Sequence, residues 1–500
     1  MNESLQQLKR ILGEVADLER AAYVLEWDQQ TYMPPGGSEI RGHQLGTLQS
    51  VAHRKFVSDE VGKLLEDLES FAETLDPDSD DARLIKVTQR KFDKKRKIPP
   101  EYVGEFSRVK SRAHNAWEKA REDDNFSHFQ PHLEKIVAMR RQYADFFAPY
   151  DHVYDPLLDN YEPGMKTETV QRIFREIRPL QVELIQAVGE QPQVEDDFLH
   201  QSFDEKKQWD FGVEVITDFG YDWNRGRQDK ATHPFTTHFG VGDVRITTRI
   251  DPNFLNSGLF STLHEAGHAI YEQGVAQELE RSPLGEGASL AVHESQSRMY
   301  ENLIGRSYPF WSHYYSRLQE VFPSQLGNVD LDTFYKGINK VEPSLIRVEA
   351  DEATYNLHIM LRLELEIALM EKEIEVDMLP EAWNARMEDY LGITPPNDRE
   401  GVLQDVHWSS GYIGYFSTYA LGNLISVQLW DKMEDEIPGL VDDVQAGKFS
   451  ALLSWLREHI HRHGHKFTPQ EIVERATGSR IDPEPYMQYL KSKYAEIYGL

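Results

Sequence analysis

Apolar residues recur at three- and four-residue spacing from the start of the chain, at Leu5, Leu8, Ile11, Leu12, Val15 and Leu18, the pattern of an amphipathic helix. Met33-Pro34-Pro35-Gly36-Gly37 ends that helix, because proline removes a backbone donor and glycine relaxes the backbone. The same period returns over about 38–75, 82–97, 101–148, 166–190, 288–306, 352–374 and 415–434, with breaks at Asp76–Asp81, Pro99-Pro100 and Pro395-Pro396. One stretch alternates instead: Phe235, Thr237 and Phe239, then Val244, Ile246, Thr248 and Ile250, around Gly240-Val241-Gly242-Asp243. Period two about a glycine-rich turn predicts a β-hairpin. No repeat of fixed period runs through the chain, which argues against a solenoid. The expectation is a mainly α-helical fold with one small β-sheet.

A chain of 500 residues exceeds the size at which one hydrophobic core stops growing. We therefore expect a single domain over 1–500 built from two helical lobes, with no boundary assigned between them. The absence of cysteine removes disulfides, thiolate ligands and thiol nucleophiles together, so any metal must be held by histidine and carboxylates. With 84 acidic against 54 basic residues the net charge is −30, which disfavours nucleic acid and anionic membranes as partners. No run of 18 or more apolar residues occurs, and Met1–Arg10 carries no basic stretch leading into an apolar one. The expected location is the cytoplasm.

Chemistry enters at His264-Glu265-Ala266-Gly267-His268, inside a proline-free periodic stretch. Residues four apart stack on one helix face, so both imidazoles can reach one cation, while Glu265, about 100° further round, can reach a water on that cation without binding it. Gly267 in mid-helix costs about 1 kcal/mol against alanine, which points to close packing there. Beyond a turn at Ser282–Gly287, a second predicted helix carries His293-Glu294-Ser295-Gln296, and Glu294 is the candidate third ligand. Two histidines and a carboxylate leave a fourth tetrahedral position for water, the arrangement of catalytic zinc. Such an ion activates water and polarises a carbonyl, the chemistry of amide hydrolysis. Cobalt fits the same donors.

At these residues the chain resembles a known family, the zinc metallocarboxypeptidases of the thermostable carboxypeptidase 1, or carboxypeptidase Taq, type. The resemblance spans nearly the whole chain. It is carried by His233-Pro234-Phe235, Asp243-Val244-Arg245-Ile246-Thr247, the His264–His268 motif, His293-Glu294-Ser295-Gln296, Ile346-Arg347-Val348-Glu349-Ala350-Asp351 and Gly401-Val402-Leu403-Gln404-Asp405-Val406-His407-Trp408. It implies a large helical, cleft-bearing fold like that of neurolysin and angiotensin-converting enzyme, with the small sheet beside the metal helix. It also implies a homodimer, and removal of C-terminal residues with broad specificity. By the same resemblance Glu294 is the third ligand and Glu265 the catalytic carboxylate. Tyr412-Ile413-Gly414-Tyr415-Phe416, after His407, resembles the segment of angiotensin-converting enzyme that stabilises the tetrahedral intermediate and holds the substrate carboxylate.

The expected mechanism has Glu265 take a proton from water on the metal and pass it to the leaving amine, with His407 and Tyr415 donating hydrogen bonds to the oxygen that gains charge. The choice of principal donor among His407, Tyr412 and Tyr415 stays open. An exopeptidase must hold a free carboxylate, which a guanidinium does with two parallel hydrogen bonds. Arg347 is the candidate, against a structural ion pair with Glu349 or Asp351, and Arg245 or Tyr412 can share the task. His233 and His238 flank the strand expected to run along an extended peptide.

His459, His461, His463 and His465, with Arg462 and Lys466, are expected to close a helix ending at Gly464, as cations at its carbonyl end rather than as a second metal site. Lys94-Lys95-Arg96-Lys97 is expected to be a solvated helix terminus rather than a nucleic-acid patch. Two rival functions remain: an endo-acting zinc oligopeptidase, and a non-catalytic helical peptide-binding protein. Peptides are the expected partners in each.

Overall fold

The structure, a computed structural model, describes residues 2–500. The first helix, Glu3–Thr31, opens where the Asn2 side chain accepts the amides of Ser4 and Leu5 at 2.9 and 3.3 Å, and it stops before Pro34-Pro35 as predicted. Leu5, Leu8, Ile11, Leu12 and Val15 are buried in a core with Phe56, Leu65, Phe92, Leu279 and Leu284.

The described chain forms two compact units, and each is discontinuous in sequence. The first comprises residues up to Arg96, Asp196–Ile338 and Leu429–Arg480; the second comprises Lys97–Glu195, Asn339–Gln428 and Ile481–Leu500. In the second unit the helix Glu352–Glu371 is buried on nearly every side. Asp351 caps it, accepting the amides of Ala353 and Thr354 at 2.9 and 3.0 Å. The helices Gln130–Asp145, Thr167–Gly189 and Leu379–Leu391 pack around it.

Two long predicted helices are each divided. Residues 38–75 form Ser38–Phe56 and Asp59–Ala72, because Ser58 starts a new helix by capping the Val61 amide at 3.4 Å. Residues 101–148 form Pro100–Glu122 and Gln130–Asp145, separated where Asp124 takes a left-handed conformation at φ 53°. Side-chain periodicity passes through both breaks, so spacing alone did not reveal them.

The sheet has three strands, β1 (Gly226–Lys230), β2 (Thr236–Gly240) and β3 (Asp243–Thr248), in the order β1-β3-β2. The predicted hairpin is β2–β3, antiparallel, with Thr237 opposite Arg245 and an irregularity between His238 and Gly240. It is shorter than expected: Phe235 precedes β2 and Ile250 follows β3. The parallel partner β1 was not foreseen, because Gly226-Arg227-Gln228-Asp229-Lys230 has no apolar alternation.

The histidine cluster near residue 460 departs from expectation. The helix Ser450–His459 ends at His459, and a 3-10 turn over His461–His463 follows. His461 is fully buried, with Nε2 at 2.9 Å from Gln296 Oε1, and burial pulls its pKa down to about 3. His465 is brought to about 4 by the same cause, with Nδ1 at 3.1 Å from Gly287 O. Both are therefore neutral packing groups and not cations serving a helix dipole. Among the described residues, no helix is long and apolar enough to cross a membrane.

Candidate metal centre

His264, Glu265 and His268 lie on the helix Leu255–Gly274. A Cβ at Gly267 would stand 2.6 Å from Ser297 Cα and 2.7 Å from Gln296 O, so only glycine lets the backbone of Leu290–Arg298 come this close. That second helix begins at Ser289, whose hydroxyl accepts the Val292 amide at 3.2 Å, and it aims Glu294 at the two histidines. Glu294 Oε2 stands 3.7 Å from His264 Nε2 and 3.6 Å from His268 Nε2.

These separations exceed hydrogen-bond length. They suit ligands about 2.0–2.2 Å from one tetrahedral ion, whose donor atoms lie about 3.3–3.6 Å apart. Among the described residues this is the group of histidine and acidic side chains whose ligand atoms converge, all within 4.8 Å of one another. The donor set suits a divalent ion with an open fourth position. The spare oxygen of Glu294 is held by Arg298 Nε at 2.7 Å, which fixes the carboxylate's orientation.

Each histidine has an outer support. His264 Nδ1 lies 2.8 Å from Glu301 Oε2, a carboxylate also contacted by Arg298 Nη1 at 3.1 Å. Glu301 sits in a π-helical turn, Met299–Ile304, that continues the Leu290–Arg298 helix, and such wide turns concentrate at functional sites. Burial works against the charge of Glu301, yet Arg298 and His264 outweigh it and hold the carboxyl at about 2. His268 Nδ1 instead faces His293 Nδ1 at 3.2 Å, and His293 Nε2 is 2.5 Å from Glu272 Oε1.

Glu265 is buried, and burial raises its pKa while the adjacent His264 opposes the rise. Thr236 of β2 donates its hydroxyl to Glu265 Oε2 at 2.6 Å, so the sheet sets the position of this carboxylate. The other predicted residues of the first unit are differently engaged. His233 is exposed just before β2. His238 has Nδ1 at 3.3 Å from Glu272 Oε2 and Nε2 at 3.0 Å from Arg20 Nη1. Arg245 donates twice to Asp243, at 2.8 Å each, and lies over Trp27 and Phe239.

Arg347, His407, Tyr412 and Tyr415 belong to the second unit. The ion-pair partner of Arg347 is Asp405, at 2.8 Å from Nη2 and 3.1 Å from Nε, in place of the expected Glu349 or Asp351. Arg362 holds the other oxygen of Asp405 through Nε at 2.7 Å, so one carboxylate is shared by two buried guanidinium groups. Burial lowers the pKa of His407 to about 4, opposed by Asp405 and aided by the two arginines, and its Nδ1 stands 3.7 Å from Asp405, beyond hydrogen-bond length. Tyr412 is 44% exposed and stacks on Tyr415 at 5.7 Å. Sequence reasoning passed over Glu272, Glu301, Thr236, Arg362 and Asp405. Two of them offered a signal: Asp405, two residues before His407 in a quoted block, and Glu272, four residues after His268 on the same helix.

The sequence matches the family described as carboxypeptidase Taq (M32) metallopeptidase over residues 7–494. Thermostable carboxypeptidase 1 of Thermus thermophilus is 42% identical over 504 residues, covering 99% of each chain. Carboxypeptidase 1 of Bacillus subtilis is 37% identical over 98% of each chain. Among solved structures, the M32 carboxypeptidase of Deinococcus radiodurans is similar at TM-score 0.97 and 42% identity over 100% of both chains.

Proposed function

Because the chain belongs to the carboxypeptidase Taq (M32) metallopeptidase family, and is thereby a metal-dependent peptide hydrolase, we propose that it binds zinc through His264, His268 and Glu294 and removes C-terminal residues with broad specificity. The observation that carries this reading is the approach of both imidazoles to one oxygen of Glu294, with Glu265 pinned alongside by Thr236. A divalent ion held there lowers the pKa of water to about 7 and polarises a carbonyl.

Glu265 takes a proton from the attacking water at a carboxylate oxygen and returns it to the leaving amine. His407, neutral at working pH, and Tyr415 donate hydrogen bonds to the developing oxyanion, each worth about 3–4 kcal/mol of barrier. Arg347 and Arg362 share one carboxylate, which leaves one guanidinium charge in excess, and the substrate's terminal carboxylate supplies the missing anion. Tyr412 contributes its exposed hydroxyl to that carboxylate. The outer edge of β2, with His233 just before it, pairs with the extended peptide. Arg245 and His238 stand outside this assignment, since Asp243 takes the one and Glu272 with Arg20 the other.

We further propose a cytoplasmic homodimer. A chain without cysteine needs no oxidising compartment, and Val24, Tyr32, Ile40 and Val51 expose apolar surface that self-association covers. Light scattering tests the dimer. For the activity, the test is product mass spectrometry on a short peptide and its C-terminal amide, with metal analysis of the purified protein. Stepwise loss of single residues from the free acid alone, with one zinc per chain, is expected. Equal cleavage of both peptides, or internal cuts, overturns the exopeptidase reading.

A further inference from the structure

The two metal-facing histidines are supported unequally. His264 meets a carboxylate directly, whereas His268 meets the backbone and the imidazole of His293, and through that imidazole the buried carboxylate of Glu272. Glu272 is the hub of this second arrangement. Its Oε1 accepts the Gly287 amide at 3.1 Å as well as His293 Nε2, and its Oε2 faces His238 Nδ1 at 3.3 Å. Beyond His238, Arg20 Nη1 stands 3.0 Å from Nε2.

The donors and acceptors along this chain constrain one another when both imidazoles next to Glu272 are neutral. A guanidinium only donates, so His238 Nε2 must accept from Arg20 and His238 Nδ1 must carry hydrogen toward Glu272. An ionised carboxylate only accepts, so His293 Nε2 must also carry hydrogen. A neutral His293 then presents a bare Nδ1, which accepts from His268 Nδ1–H. His268 is left with its lone pair on Nε2, the nitrogen nearest Glu294. The tautomer that can bind a cation is thus reinforced from Glu272, two hydrogen bonds away, alongside the hydrogen bond of His268 to the His293 backbone. Room for the chain is built in: a Cβ at Gly287 would stand 2.5 Å from His293 Cδ2, so a larger residue there would push the imidazole out of line.

We propose that His293 and Glu272 are positioning residues that act in series to hold His268 in its metal-binding tautomer and so set metal affinity. This rests on the metal reading proposed above, and the test separates the two. Zinc affinity is measured by competition with a chromophoric chelator, beside the melting temperature of the metal-free protein. The proteins compared are the wild type, His293→Leu, His293→Asn, Glu272→Gln, the His293→Leu/Glu272→Gln double variant and Glu301→Gln.

Loss of an outer hydrogen bond to a ligand weakens binding by about 10–100-fold, and His293→Leu and Glu272→Gln should each fall in that range. His293→Asn keeps an acceptor at the Nδ1 position and should bind more tightly than His293→Leu. In a series arrangement the double variant binds no more than about threefold more weakly than His293→Leu. Adding Glu301→Gln, which acts on the other histidine, should compound the loss. Unchanged affinity in His293→Leu and Glu272→Gln, or losses in the double variant that multiply, overturns the proposal while leaving the metal site standing. Failure of the wild type to bind zinc overturns both.

Discussion

Replacing Asp405 by asparagine should cost the second unit more stability than any exposed substitution. The side chains of Arg362 and Arg347 are 0% and 7% exposed and that of Asp405 is 13% exposed, so all three charges sit away from water. Asparagine keeps the shape and one acceptor but leaves two buried guanidinium groups facing each other without a counter-charge. Breaking a buried ion pair from one side costs about 3–5 kcal/mol. A Coulomb estimate of about 4 kcal/mol for unit charges near 4 Å at an effective dielectric of 20 agrees in size.

For a unit of about two hundred residues the loss corresponds to a melting shift of about 6–20 °C. Urea unfolding followed by tryptophan fluorescence reads it as a lower midpoint at unchanged slope. Burial raises the Asp405 carboxyl, but Arg347 and Arg362 outweigh burial and hold it far below the ordinary carboxylate range. A depressed carboxyl contributes stability above its unfolded value of about 3.9, and loses it only as pH falls toward the folded value. The deficit of Asp405→Asn should therefore be flat from about pH 5 to pH 9. Removing a guanidinium as well, in Asp405→Asn/Arg362→Met, should recover part of it. A single-variant loss under about 1 kcal/mol, or a double variant worse than the sum of its parts, refutes the charge-balance reasoning.

Glu265→Gln should retain zinc while turnover falls by about 10²–10⁴-fold, read by metal analysis beside kcat; a normal rate removes Glu265 as the base. Glu294→Ala should lose zinc on dialysis, and the wild type stripped by chelator should regain activity with added zinc or cobalt. Gly267→Ala improves helix propensity yet meets the backbone of Ser297 and Gln296, so it should destabilise by about 1–3 kcal/mol in urea and weaken zinc binding.

Burial lifts the Glu366 carboxyl to about 7 while Tyr154, Gly414 and Trp408 donate to it and Arg140 lies nearby. A raised carboxyl stabilises most below its unfolded value of about 4.3, and about 4 kcal/mol of that should drain away as pH climbs from there through 7. Urea midpoints across pH 5–8 should therefore fall for the wild type and flatten for Glu366→Gln.

The helical character of the chain, the β2–β3 hairpin and the convergence of His264, His268 and Glu294 were legible because each rests on local spacing. Period 3.6, period two around glycine, and an i, i+4 histidine pair all survive without knowledge of the rest of the molecule. Gly267 was legible as a packing position for the same reason, although its neighbour, the 296–297 backbone, was not. What escaped depends on long-range pairing. Glu301 is an ordinary glutamate in sequence and gains meaning only once a second helix brings it to His264, whereas Glu272, four residues beyond His268 on the same helix, takes its meaning from His293 and His238 on other segments. For Arg347, read as a holder of substrate carboxylate, the alternative ion-pair partners were the acids beside it in sequence, whereas the structure pairs it with Asp405, 58 residues away. The strand β1 reads as polar coil until β3 lies alongside, and His461 and His465 read as surface cations until burial strips their charge.

The wide turn at Met299–Ile304 separates the fates of the two imidazole supports. A helix that closes over five residues where four suffice carries one surplus position, and deleting a residue at 299 or 300 can restore regular register. Residues beyond Ile304 then keep their places, because the wide turn had already absorbed the extra residue, while Glu301, inside the turn, is repositioned relative to Glu294. The brace behind His264 is thus removable in one genetic step. The brace behind His268, assembled from separate stretches of chain, holds no such surplus residue and yields only to a substitution of one of its own side chains.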